Sequence, residues 1–264
     1  MKNIQKSNKY NLDYLKTSLK NTIFQNFYFY NEIDSTMNQI KRFCPSQKKQ
    51  GTIVIAEIQK MARGRFQRKW INEPQESLCF SIFLEPKFLE LKFLNMAAAI
   101  SISKSINQLT QIKSKIKWPN DILINDKKVS GILIETELIN NQVSSCIIGI
   151  GINVTLKSFQ DPSLSNATSI LTESGVHLDR NILLIEILKH LNHLYSSIQN
   201  GISLKDLWKK NLETIGKEIS VKQGNKIISG IGIDVTEEGD LIIQEKNGQT
   251  TKLSSGEVTT NLQM

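Results

Sequence analysis

A chain of 264 residues with 39% hydrophobic and 22% charged side chains has enough core for independent folding, which excludes wholesale disorder. Its 33 Lys and Arg against 25 Asp and Glu give a net charge of +8, an excess that favours anionic partners but is too moderate to make a nucleic-acid binder by itself. No apolar run reaches membrane-spanning length, and no apolar stretch follows the basic start Met1 to Lys6, so a cytoplasmic protein with no membrane partner is expected.

Residues 1–22 are polar and Lys/Asn-rich, with one weak helical pattern near Leu12 to Leu19. That is too short for a helix-turn-helix module, so no DNA partner is expected. Phe27 to Tyr30 reads as a strand. Asp34-Ser35-Thr36 then supplies side chains of the kind that cap a helix, here one over Met37 to Phe43. Cys44, Cys79 and Cys146 are odd in number and far apart, which favours free thiols over disulfides or a metal site.

Thr52 to Ala56 and Leu78 to Leu84 are apolar, strand-like runs, and between them lies the most unusual stretch of the chain, Gln59 to Trp70. It carries Lys60, Arg63, Arg65, Arg68 and Lys69 with no acidic residue. A run this basic is commonly a solvated surface face. Suspended between two strands, its arginines can instead converge on phosphate or carboxylate as bidentate donors.

Leu91 to Leu109 reads as a helix packed on a sheet. Short β-rich pieces follow at Ile116 to Trp118, Ile122 to Ile124, Val129 to Glu135 and Val143 to Val154, with hairpin chemistry at Asn125 to Lys128. Gly149-Ile150-Gly151-Ile152-Asn153 permits close backbone approach but lacks the spacing of a dinucleotide fingerprint. Asp161 to Thr172 is expected to loop, and Asn181 to Ile198 and Leu204 to Leu212 to be helices. His190 and His193 lie three apart, but no Cys or carboxylate cluster completes a metal site, so these and His177 read as structural or surface residues. Beyond Gly216, five short alternating runs punctuated by glycine suggest a small β-barrel-like domain.

Four segments in this order resemble biotin protein ligase: Asp34-Ser35-Thr36; Gln59 to Trp70; Lys117-Trp118-Pro119-Asn120-Asp121 with Lys128-Val129-Ser130-Gly131-Ile132-Leu133; and Gly149 to Asn153. Ser255-Gly256-Glu257-Val258 resembles the end of that family's SH3-like domain. The resemblance runs from about residue 28 to about 260. It implies an α/β (α+β) fold, with a mixed-sheet catalytic domain over 23–213, an SH3-like domain over 214–264 and a tail over 1–22, in a monofunctional ligase without the DNA-binding domain.

The same resemblance implies an ATP-dependent enzyme that makes biotinyl-5′-adenylate and passes the biotinyl group to a lysine of a biotin carboxyl carrier domain, with Mg²⁺ bridging phosphates. Catalytic roles fall to Arg63, Arg65, Lys128 and Asp121. Ser35, Thr36, Met37, Gln59, Arg63, Gly64, Arg65, Lys128 and Gly131 are expected around biotin, and Arg65, Arg68, Trp70, Asn120, Asp121 and Asn153 around ATP. No residue is assigned to hold a metal, and a homodimer stays open. Departures from the family pattern are Ala62 and Gln67 in place of Gly, Phe66 in place of a basic residue, and Met37 where Asn is frequent. Ala and Gln resist left-handed backbone, so a stiffer loop or a different ligand-free conformation is expected. The rival readings are a lipoate or other acyl ligase of the same fold and a basic nucleic-acid binder. The second is disfavoured because the basic residues cluster in one loop while the aromatics lie in apolar runs.

Overall fold

The β-branched runs of the first part of the chain assemble into one seven-stranded sheet in the computed structural model, which describes residues 10–139, 142–156 and 164–260. The strands are β1 (Phe27–Ile33), β2 (Thr52–Gln59), β3 (Ser77–Leu84), β4 (Lys115–Lys117), β5 (Asp121–Ile124), β6 (Lys127–Ile139) and β7 (Gln142–Asn153), in the order β1-β2-β3-β7-β6-β5-β4. β1 and β2 run parallel, and every other neighbouring pair is antiparallel, giving the expected mixed sheet. Asn125 and Asp126 both take positive φ, the conformation a two-residue hairpin needs between β5 and β6.

Because strand side chains alternate, the sheet has two unlike faces. On one, Ile53, Ile55, Leu78, Phe80, Ile82, Ile148, Ile150 and Ile152 join the main core with residues of α1 (Leu12–Ser18), α3 (Leu91–Thr110) and α5 (Arg180–Gln199). On the other, α2 (Thr36–Arg42) covers a small cluster of Met37, Ile40, Phe43, Val54, Phe83 and Ile147. The rest of that second face is a cavity.

The weak helical pattern near Leu12 is α1. Its partners Leu15 and Leu19, four residues apart, are fully buried, and the segment is tied down by Asn11 N–H to Asn181 Oδ1 at 2.9 Å and Ile23 N–H to Asn192 Oδ1 at 3.0 Å. The loop expected over Asp161 to Thr172 is corrected in its second half. A helix α4 (Ile170–Ser174) begins there because the Ser169 side chain accepts the Thr172 N–H; positions 161–163 lie outside the described residues.

Helix α6 (Lys205–Asn211) leads to a five-stranded antiparallel sheet of β8 (Glu218–Gln223), β9 (Lys226–Val235), β10 (Leu241–Gln244), β11 (Thr250–Leu253) and β12 (Glu257–Thr260), ordered β11-β10-β9-β8-β12. It is fastened to the first sheet through Trp118, whose indole Nε1–H donates to Gly239 O at 2.8 Å and whose N–H donates to Thr214 Oγ1 at 3.1 Å. Gly239 has φ 88, a left-handed backbone that favours glycine there. Among the described residues no helix is long and apolar enough to cross a membrane.

Candidate active site

The cavity measures about 640 Å³, and every residue expected around biotin or ATP lines it: Ser35, Thr36, Met37, Gln59, Arg63, Gly64, Arg65, Arg68, Trp70, Asn120, Asp121, Lys128, Gly131 and Asn153. Its floor is made by glycines. Gly131 on β6 stands opposite Gly151 on β7, and the Trp70 indole lies over both. A Cβ on Gly151 would sit 2.4 Å from the indole, and one on Gly131 3.1 Å from it. Gly149, two residues earlier on the same face, leaves room for Met37 Sδ in the same way.

At the deep end the expected cap is corrected. Ser35 occupies the N-cap position of α2, but its side chain makes no capping hydrogen bond. The Thr36 N–H instead donates to Gln59 Oε1 at 2.8 Å, and Thr36 Oγ1 lies 2.7 Å from Ser81 Oγ. Asp34 turns outward to Asn38 and Arg42, whose hydrogen bonds hold its carboxyl far below the usual carboxylate range. Ser35 and Thr36 are therefore buried polar groups at the cavity wall, the kind of placement that orients a polar ring.

The basic stretch is a compact turn closed by its own backbone: Gly64 N–H donates to Arg68 O at 2.8 Å and Trp70 N–H to Ala62 O at 2.9 Å. Of the two positions where glycine was expected, Ala62 is free of left-handed strain, whereas Gln67 (φ 57) adopts left-handed backbone, as does its neighbour Phe66 (φ 56). This costs energy for non-glycine residues. Arg63 does not point a free guanidinium at the cavity. It is gripped by Glu135, with Nη2 to Oε1 at 2.9 Å, and by Asn38, with Nη1 to Oδ1 at 3.0 Å. Burial raises the Glu135 carboxyl, but hydrogen bonds from Lys41 and Arg63 outweigh it and hold the group low.

Arg65 reaches the opposite wall, donating to Asn120 Oδ1 at 3.2 Å and to Gly256 O at 3.1 Å; burial lowers its pKa. Arg68 pairs with Glu257. Gly256, Glu257 and Val258 of the second sheet thus complete the cavity mouth, a contribution the sequence signalled only as a C-terminal likeness. Lys128 Nζ is 2.7 Å from Asp121 Oδ1 and 5.7 Å from the Trp70 ring centroid. Its backbone is held from both sides, by N–H to Asn166 O and by O to Thr168 N–H, each 2.8 Å. Asn153 donates to Thr168 O at 3.0 Å, joining this strap to β7. Sequence reading missed the strap. Cys79, expected only as a free thiol, proves to be buried in the cavity wall, and burial pushes its thiol up to about 12.

A pocket with a glycine floor, buried hydroxyls at one end, and a Lys–Asp pair and Arg65 on its walls is suited to bringing a small carboxylate up to a nucleotide. Residues 29–153 match the biotin/lipoate A/B protein ligase family and residues 214–259 the biotin protein ligase C-terminal domain. The bifunctional ligase/repressor of Bacillus spizizenii is 31% identical over 93% of this chain and 78% of that protein. The biotin–[acetyl-CoA-carboxylase] ligase of Mycobacterium tuberculosis is 28% identical over 79% of this chain and 78% of its own. The solved biotin protein ligase from Aquifex aeolicus, in complex with biotin and ATP, superposes with a TM-score of 0.77 at 28% identity, covering 89% of this chain and 98% of that one. The chain belongs to the biotin protein ligase family.

Proposed function

We propose that this ATP-dependent biotin ligase carries out both half-reactions in the one cavity, with Lys128 and Asp121 at the reacting centre. The observation that carries the reading is their 2.7 Å pair at the cavity wall, beside the Trp70 indole. In the first step a biotin carboxylate oxygen attacks the α-phosphorus of ATP, the bond to the bridging oxygen breaks, and pyrophosphate leaves. Two like unit charges about 4 Å apart at an effective dielectric near 20 repel by roughly 4 kcal/mol. Lys128 and Arg65 offset that repulsion, and Arg68, once released from Glu257, extends the cationic surface along the phosphates. Arg63 acts through the turn it anchors. Ser35, Thr36 and Gln59 face the ureido ring, and Trp70, Asn120 and Asn153 flank the nucleotide.

In the second step a lysine of a biotin carrier domain attacks the acyl carbon and AMP leaves with the bonding pair. A free lysine is neutral only about once in 2,500 molecules at pH 7, a deficit near 4.6 kcal/mol. With Lys128 drawn to the adenylate, Asp121 is freed to orient the incoming ammonium and receive its proton. The name of the mycobacterial relative supports acetyl-CoA carboxylase as the source of the carrier. Among the described residues no three His, Cys, Asp or Glu gather as metal ligands, and Asp121 and Glu257 are both ion-paired. A Mg²⁺ therefore fits as a companion of the ATP phosphates rather than as a resident ion. Free cysteines and the need for ATP support a cytoplasmic setting. Pyrophosphate release on adding ATP with biotin, and not with lipoate, is the expected result; release with lipoate alone overturns the reading.

A further inference from the structure

On the far side of the sheet from the cavity lies a buried ion pair that the chemistry above does not use. Arg180, the first residue of α5, is 2% exposed and grips Glu57 of β2 with Nη2 to Oε1 at 2.7 Å and Nη1 to Oε2 at 2.9 Å. The Tyr10 ring lies 4.6 Å from the guanidinium carbon, so the N-terminal segment roofs the pair. A cation at a helix N-terminus opposes the helix dipole, and replacing a buried ion pair by apolar residues is often neutral or stabilising. Fold stability alone is thus a poor reason for these residues.

What the pair touches gives a better one. Gln75 N–H donates to Glu57 Oε2 and the Asn72 amide to Glu57 O, each at 3.0 Å. Arg180 Nη1 also donates to Ser77 O at 3.0 Å. Residues 72–77 are the leg that descends from Trp70 into β3. Ser77 is in register with Asn153, and Glu76 O receives the N–H groups of Val154 and Thr155 at 2.9 and 3.0 Å. The side-chain pair therefore holds Gln75 and Ser77, and through them the start of β3 and its register with the end of β7, while Asn72 is tied separately to the β2 backbone.

We propose that Arg180 and Glu57 are positioning residues for the ligase reaction, which set Trp70 and Asn153 through the 72–77 leg; the inference rests on the reading that those two residues flank the nucleotide. Single substitutions would strand a buried charge, so the informative protein is the full chain carrying Glu57→Met together with Arg180→Met. It is expected to melt near the parent temperature. Tryptic cleavage within residues 63–69 of the ligand-free protein is expected to be about tenfold faster, reporting local opening. In pyrophosphate release with biotin, kcat/KM is expected to fall about ten- to a hundredfold, mainly through the KM for ATP. Parent rates of cleavage and a parent KM in a stable double variant overturn the proposal. If the double variant does not fold, Arg180→Lys, which keeps the charge but cannot hold both Glu57 oxygens and Ser77 O at once, is expected to shift both readouts the same way, and parent values there overturn it equally. Cleavage is read without turnover, so a parent protein that releases no pyrophosphate with biotin would sink the functional reading and leave this test standing.

Discussion

The two faces of the seven-stranded sheet are made by alternate residues of the same strands and are used in opposite ways. Along β7, Ile148, Ile150 and Ile152 go into the helix-side core, while Gly149 and Gly151 between them keep the cavity side bare enough for Met37 and Trp70 to lie on the backbone. On β3, Leu78, Phe80 and Ile82 fill the core, while Cys79 and Ser81 face the other way. Along these two strands core packing and cavity lining are thereby separated by a single pleat, and a change in the helix-side core should be felt weakly in the cavity unless, like the Arg180–Glu57 pair, it holds a segment that leads to the cavity wall.

The strongest challenge to that separation is Ile82→Ala. It empties a fully buried site in the helix-side core, and denaturant titration should show a loss of about 4 kcal/mol. Biotin affinity of the folded fraction should stay at the parent value; a loss of affinity without loss of stability would break the division. Lys128→Met tests the reverse. Adenylate formation in a single-turnover assay should drop about 10²- to 10³-fold, roughly 3 to 4 kcal/mol, with little change in melting temperature, and a parent rate would remove Lys128 from the reacting centre. Gly151→Ala places a methyl 2.4 Å from the Trp70 indole. Displacing the ring should weaken ligand binding by about 1 to 3 kcal/mol in calorimetry, and unchanged binding would mean the glycine floor is not a ligand surface. Arg68→Ala removes an ion pair whose arginine is two-thirds exposed, so stability should change by less than about 1 kcal/mol while the KM for ATP rises.

The smallest effect is that of acid on the Arg63 anchor. Glu135 is held below its ordinary value, so its contribution is fully present above the unfolded carboxylate pKa of about 4.3 and is lost as pH falls through the lower folded value. Hydrogen exchange of residues 62–69 should therefore be protected down to about pH 4 and loosen below it. Glu135→Gln should reproduce the loosening at neutral pH; equal protection in both proteins would dismiss the anchor.

Most of the site was legible because its residues are chemically unusual for their places: arginines without acids, a Lys after a tight hairpin turn, glycines inside a strand. What was not legible is pairing at a distance. The sequence shows Arg63 as a basic residue in a basic run, and nothing local reveals that Glu135, 72 positions away, would claim its guanidinium. Asp34-Ser35-Thr36 has capping chemistry, but Gln59 arrives to take the Thr36 N–H and the cap is not formed. The helix near Leu12 was weak on propensity and is made firm by packing, since Leu15 and Leu19 find the core.

The sequence by itself determined the period of each element, the alternation that gives β3 and β7 two faces, and the ordered motifs that mark the family. Those depend on steric and chemical properties each residue carries wherever it stands. Tertiary structure alone decided which charges are free and which are spoken for: Arg63 with Glu135, Arg68 with Glu257, Arg180 with Glu57, and Lys128 beside Asp121 in the cavity. An ion pair is a property of two positions and the dielectric between them, and neither is written in either residue alone.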